Sequence, residues 1–320
     1  MMKPNRSRTQ AAMAFLAPNL IGFLVFTAGP VLFSLGASFT NSNLQQTVPL
    51  RFNGISNYAE LLADQSFWLY FVNTLYMMMG LPFAMFGALW LAVLLNRKLR
   101  GISIFRTLLY LPSFASGVAI MILWKALYNP DFGPINEGIR HVFGILHVHA
   151  DTPQWLQSTH NMAGLDVEKV GFNSKQFGIG ARDALILMGV WIAIGGNNML
   201  LYLAALTNVP EELIEAAQLD GATPWRSFVS VTWPQLAPTT FFILVMSIIG
   251  GLQGGFETAR VMTTGGPAGT TTTLSYYIYS LAFEQFRIGY ASAVAWVLFA
   301  FVFVATLINW RFGNRAANDL

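Results

Sequence analysis

No cysteine occurs among the 320 residues, and only 10% of them are charged. The first absence excludes disulfides and thiolate metal sites and says nothing of compartment. The second excludes an ordinary soluble domain, in which about a quarter of residues carry charge. Lys and Arg are too few and too scattered to make a nucleic-acid surface. No Gly-x-x-x-x-Gly-Lys-Ser/Thr loop is present, and no Lys directly follows a Gly, so this chain has no phosphate cradle of that kind for ATP. No apolar run holds paired carboxylates or a His cluster, which argues against a membrane enzyme and leaves no catalytic residue to name. What is abundant is apolar: 54% of residues are hydrophobic and the mean hydropathy is +0.51, the composition of an integral membrane protein.

Apolar runs at 11–39, 67–95, 105–127, 184–207, 237–256 and 288–310 each reach the length that crosses ~30 Å of hydrocarbon at about 1.5 Å per residue. The pattern predicts an all-α polytopic protein with six transmembrane helices. The first run is too long for the core of a cleavable signal peptide and is expected to stay as a membrane helix, with Pro18 and Pro30 near its ends. Lys3, Arg6 and Arg8 precede it. Arg97, Lys98, Arg100 and Arg106 sit in the hairpin between the second and third runs, and Arg311 and Arg315 follow the sixth. With six spans all three clusters fall on one side, so the positive-inside rule places residues 1–10, both termini and this hairpin in the cytoplasm, and 11–320 reads as one transmembrane domain. The stretch 57–62 reads as a short amphipathic helix or a plain connection. Residues from about 128 to 183 turn polar and read as an external loop carrying Asp183, Arg182, Glu168, Lys169 and all four His. The His147/His149 pair has no carboxylate partner, and no metal site is expected. A second external loop, 257–287, holds the Gly/Thr-rich run 263–273.

Between the fourth and fifth runs lies a polar, helix-prone segment, 208–236. Glu, Ala, Gln and Leu favour helix, Gly221 interrupts it, and Pro234 is expected to close it. The prediction is a short helix, a turn and a second short helix outside the lipid.

Glu215, Ala216, Ala217, then Gly221, Val231 and Pro234 fall on the spacing of the signature of membrane subunits of binding-protein-dependent ABC importers, with Trp233 where that family more often has Leu. Further stretches narrow the resemblance to the carbohydrate-uptake permeases, the maltose and glycerol-phosphate type: Phe52-Asn53-Gly54-Ile55-Ser56-Asn57-Tyr58, Asn73-Thr74-Leu75, Phe105-Arg106-Thr107-Leu108, Asn129-Pro130-Asp131-Phe132-Gly133-Pro134, Met262-Thr263-Thr264-Gly265-Gly266-Pro267 and Gly289-Tyr290-Ala291-Ser292-Ala293. The stretch from about 140 to 183 is longer and more polar than is usual in that group.

This resemblance implies the type I importer permease fold and a multi-pass subunit of the bacterial inner membrane. It also implies a second homologous permease subunit, two cytoplasmic ATPase subunits that bind ATP and Mg, and an extracytoplasmic substrate-binding protein delivering a sugar or sugar-like solute for alternating access. The segment 208–236 becomes the coupling helix, with Glu215 and Asp220 facing basic groups of the ATPase, Ala216, Ala217 and Gly221 offering a small-residue surface, and Pro234 near the membrane end. A sugar path needs hydrogen-bonding groups and flat apolar faces within spans. The residues that fit are Asn73, Asn197 and Asn198, then Gln253, Phe256 and Glu257, and Tyr290 and Ser292; the other reading for each is an interhelical hydrogen bond or an interface position. Gly250, Gly251, Gly254 and Gly255 mark the fifth run for bending or close packing. The competing class, a secondary transporter or channel independent of ATP, would carry ionisable groups deep in several runs, or an internal repeat of broken helices, and neither is evident.

Overall fold

The structure, a computed structural model, describes residues 6–45, 49–97, 100–115, 117–147, 151–166 and 171–318. Among these the fold is helical, with three isolated β-bridges and no strand. Lys3, Lys98, His149, Glu168 and Lys169 lie outside the described residues.

The helices are α1 (Arg6–Phe23), α2 (Gly29–Ser38), α3 (Ser56–Ala63), α4 (Gln65–Met77), α5 (Gly80–Leu95), α6 (Ile102–Tyr110), α7 (Gly117–Leu127), α8 (Pro134–Leu146), α9 (Ala181–Ile194), α10 (Asn197–Thr207), α11 (Glu211–Leu219), α12 (Pro224–Ser227), α13 (Trp233–Gln253), α14 (Phe256–Thr258), α15 (Leu274–Tyr279) and α16 (Ile288–Asn318). Five stretches among the described residues are long and apolar enough to cross a membrane: Met13–Ser38, Gln65–Leu95, Ala181–Thr207, Pro224–Gln253 and Ile288–Arg311. A sixth is counted if Ile102–Phe114 and Gly117–Leu127, which meet at 95°, make one broken span.

The all-helical, six-run reading therefore holds, while four details differ from the sequence pattern. The third run is bent rather than straight, because Pro112 opens a short 3-10 turn at Leu111–Phe114 that ends α6. The first helix begins at Arg6, since Arg, Gln and Ala prolong it, so Pro18 lies inside it rather than near an end. Pro234 does not close the segment before the fifth run; helix continues through it. Both Pro30 and Pro234 stand two residues after a single π-turn, at Leu24–Ala28 and Phe228–Thr232. There the Gly29 N–H reaches the Leu24 carbonyl and the Trp233 N–H the Phe228 carbonyl. A proline ring inside an α-helix strikes the carbonyl four residues back, and the widened turn makes room for it. Finally, the polar region 128–183 is not a plain loop: it contains α8, and its last residues, Arg182 and Asp183, are buried in the first turn of α9.

The chain divides into two compact units. One combines Met1–Asp64 with Ile278–Val297. In it Asn57 donates both amide hydrogens to the Ser38 and Thr40 carbonyls at 2.8 and 2.9 Å, Arg287 pairs with Glu60 at 2.6 Å, and the Tyr290 hydroxyl donates to Asp64 at 2.8 Å. Trp296 donates to Ser34 Oγ at 3.2 Å.

The other unit combines Gln65–Tyr277 with Leu298–Leu320. Its first core packs Ala88, Leu89, Ala92 and Leu95 of α5 against Met199, Tyr202, Leu203 and Leu206 of α10 and Leu236 and Ile243 of α13. Small residues at helical spacing on α5 let the backbones approach closely, the packing favoured where lipid supplies no hydrophobic drive. A second core gathers Trp124, Tyr128 and Trp155 with Ala184, Leu185 and Met188 of α9. Trp155 donates to Asn136 of α8 at 2.7 Å, and Tyr128 to the Ala184 carbonyl at 2.8 Å. Burial pushes the Tyr128 hydroxyl above the ordinary tyrosine range, so it remains a donor there.

Candidate coupling surface and substrate path

The segment after α10 folds as a helix, a tight turn and a second helix that runs on into the membrane. Glu211 and Glu212 stand in the first turn of α11, where negative charge is favoured by the helix dipole. The other end is closed by two backbone bonds: Gly221 N–H to the Gln218 carbonyl at 3.0 Å and Ala222 N–H to the Ala217 carbonyl at 2.9 Å. This Schellman closure needs a left-handed residue, and Gly221 supplies it at φ +79°. A Cβ at Gly221 would meet nothing within 4 Å, so conformation rather than crowding demands glycine here. Thr223 then accepts the Arg226 N–H at 3.3 Å, and Pro224 opens α12 at the position where its missing donor costs nothing. From Pro224 the helix continues to Gln253.

Glu215, Ala216, Asp220 and Gly221 are all exposed on this element, and Ala217 is half-buried. Two apolar side chains that the sequence reading did not single out stand out beside them: Leu219 is 89% exposed and Trp225 74%. Their spacing signalled nothing, because a leucine at a helix end ordinarily packs inward.

The substrate-path candidates separate into four places. Asn73 is fully enclosed in α4: its amide donates to the Gly269 and Thr272 carbonyls at 2.8 and 3.0 Å, and its oxygen accepts from Arg182 Nε at 3.0 Å. Asn197 and Asn198 open α10 after the Gly195–Gly196 break, with Asn197 accepting from the Tyr110 hydroxyl at 2.8 Å. Gln253, Phe256 and Glu257 come together where α13 ends. Gln253 and Glu257 are exposed, and the Phe256 ring lies 6.0 Å from Tyr276 with the Arg260 guanidinium 5.8 Å from its centroid. Next to them a narrow crevice is lined by Gly250, Gly251, Gly254 and Gly255 with Thr74, Thr258 and Thr273. Tyr290 and Ser292 belong to the other unit, where Tyr290 is buried and Ser292 half-buried.

The sequence reading missed the polar knot around Asn73. Arg182, 1% exposed, donates Nε to Asn73 and to the Thr270 carbonyl at 3.0 Å and Nη1 to the Leu165 carbonyl at 3.4 Å. Asp183, 2% exposed, accepts the Tyr76 hydroxyl and the Met162 and Gly180 N–H groups, the last two at 3.2 Å. The run Thr270–Thr273, expected in an external loop, is buried instead. Its hydroxyls are satisfied locally, by the carbonyls of Pro267, Gly266 and Gly265 and by Ser275, so polar composition did not require solvent. Among the described residues no group of three or more His, Cys, Asp or Glu side chains could hold a metal ion.

Helices long and apolar enough to cross a membrane, one of them preceded by an exposed helix–turn–helix, put the chain in the class of polytopic membrane subunits. Residues 80–317 match the binding-protein-dependent transport system inner membrane components, and the chain belongs to that family. It is a transporter subunit rather than an enzyme. A probable ABC transporter permease of Bacillus subtilis, YesP, is 36% identical, over 97% of this chain and 93% of its own length. The lactose transport system permease protein LacF of Rhizobium radiobacter is 33% identical, over 92% and 91%. The sn-glycerol-3-phosphate transport system permease protein UgpA of Yersinia pestis is 31% identical, over 82% and 81%. Among solved structures, a chain of a bacterial ABC transporter involved in the import of the acidic polysaccharide alginate superposes with a TM-score of 0.76 at 24% identity, covering 97% of this chain and 96% of that one. It shares the fold.

Proposed function

We propose that the chain is one of two non-identical permease subunits of an ATP-driven importer of sugars or sugar-like solutes. The observation that carries this is the handle: an exposed helix–turn–helix whose second helix is continuous with a membrane helix, so that a push on α12 reaches α13 without an intervening loop and one on α11 passes through the hydrogen-bonded Gly221 turn. A cytoplasmic ATPase pair, holding ATP and Mg, docks on Glu215, Ala216, Ala217, Asp220 and Gly221, with Leu219 and Trp225 as apolar anchors. Closure of that pair rocks the spans so that the sugar cavity changes sides. Arg97, Arg100 and Arg106 at the hairpin after α5, and the handle itself, then face the cytoplasm together with both termini.

The relatives' names point to sugars and glycerol phosphate as the substrate class, and a substrate-binding protein outside the membrane delivers it. Phe256 provides a flat face, and Gln253, Glu257, Asn197 and Asn198 provide hydrogen-bonding edges for it. Asn73 serves this path from behind, by holding the Gly/Thr run in place.

The test is to tag the chain, extract it gently and identify what co-purifies. A second permease and an ATPase, with ATP hydrolysis stimulated by a sugar and its binding protein, is the expected result. The chain recovered alone and transporting in proteoliposomes without ATP would sink the reading in favour of a secondary transporter.

A further inference from the structure

The unit formed by Met1–Asp64 and Ile278–Val297 contains a small recess open to solvent. Every residue lining it carries a polar group, and they come from the loop after α2, from α3 and from the start of α16. The frame is held by backbone and by structural amides. Asn53 N–H meets the Phe39 carbonyl at 2.7 Å, Asn57 fastens Ser38 and Thr40, and the Gly289 N–H reaches the Ser42 carbonyl at 3.0 Å. Glycine at 289 is what allows this approach, because a Cβ there would sit 2.2 Å from the Thr40 carbonyl oxygen.

Within this frame several side chains are left to solvent. Among the described residues the Ser42 hydroxyl, the Asn53 amide and the Asn43 NH2 group have no hydrogen-bond partner, although all three line the recess. Glu60 and Arg287 line it too, and their 2.6 Å contact cancels their charges. Arg287 also stacks at 4.6 Å on the Tyr290 ring, which fixes a flat aromatic edge beside the amides. A recess offering hydroxyl, amide and paired-charge groups, with no net positive charge, matches a ligand that is both donor and acceptor at many points and uncharged.

We propose that this recess is a binding subsite for one neutral saccharide unit, separate from the candidates at the end of α13. The assignment rests on the sugar-import reading above. Ser42, Asn43 and Asn53 bond the sugar hydroxyls, and the Glu60–Arg287 pair accepts and donates at adjacent hydroxyls without attracting anions.

The chain has no cysteine, so Ser42→Cys introduces a single thiol of nearly the same shape. In the assembled complex in nanodiscs, lactose or maltose at high millimolar concentration is expected to slow maleimide labelling of that thiol. sn-Glycerol 3-phosphate at the same concentration should not. Adding Asn53→Ala should weaken the protecting sugar's apparent affinity roughly three- to tenfold, the loss of one or two hydrogen bonds. Neither side chain has a partner to lose within the described fold, so size-exclusion profile and melting temperature should be unchanged by either substitution. Labelling unaffected by both sugars, protection equal with sn-glycerol 3-phosphate, or protection insensitive to Asn53→Ala overturns the proposal. Sugar-stimulated ATP hydrolysis by the same complex reports the importer reading separately: stimulation without protection sinks the subsite alone, and absence of both sinks the sugar reading with it.

Discussion

At the level of single residues, two positions show how differently one polar or small side chain can matter. Gly221 is exposed and uncrowded, yet its left-handed backbone costs any L-residue with a Cβ roughly 1–2 kcal/mol. Asn tolerates that conformation best, so ATPase stimulation should fall in the order Gly, Asn, Ala, Val, measured as sugar-dependent hydrolysis by the assembled complex. Equal activity of Gly221→Val would show that the turn does not transmit force. Asn73 is the opposite case, enclosed and fully bonded. Asn73→Leu strips one acceptor from Arg182 and two donors from the Gly269 and Thr272 carbonyls, and should lower stability by about 2–5 kcal/mol, read as a drop in melting temperature in detergent. Arg182→Met should partly restore an Asn73→Leu variant, because the orphaned guanidinium is then gone. The spacing of Glu215, Ala216, Ala217 and Gly221 made the handle legible from sequence. The Arg182–Asn73 bond was not, since its partners lie 109 positions apart and Arg182 reads as an ordinary loop charge.

At the level of the elements, hydropathy located every long apolar run but none of its breaks. The interruption at Met78–Met79 falls where polarity does not change, and the two Asn after Gly195–Gly196 are too few to lower a window average, so a sliding window passes over both. They are backbone features. A Cβ at Gly195 would lie 2.3 Å from the Leu109 carbonyl oxygen, whereas one at Gly87 would lie 2.6 Å from Ile194 Cγ1, a side-chain atom that can rotate away. Gly195→Ala should therefore lower the melting temperature clearly more than Gly87→Ala, and the reverse order would mean that the Leu109 backbone yields more readily than the Ile194 side chain. The continuity through Pro234 was hidden for a similar reason. Proline reads as a helix stop, and only the π-turn two residues earlier lets the helix pass.

For the whole molecule, the sidedness of the spans is open to direct measurement. Single cysteines at Leu219, which is 89% exposed, and at Phe132, which is 75% exposed, should react with a membrane-impermeant maleimide from opposite faces of the membrane, Leu219 from inside. Labelling of both from the same face would overturn the topology argued from the basic clusters. The unbroken helix from Pro224 to Gln253 has 30 residues, which at about 1.5 Å each makes a rod roughly 45 Å long. One end lies in the handle, and the other stops at Gly254 and Gly255 beside the glycine-lined crevice. Such a rod is a lever. A tilt of about 5° pivoting at the handle would sweep its far tip through roughly 4 Å, about the width of a sugar ring, with no residue along its length changing conformation.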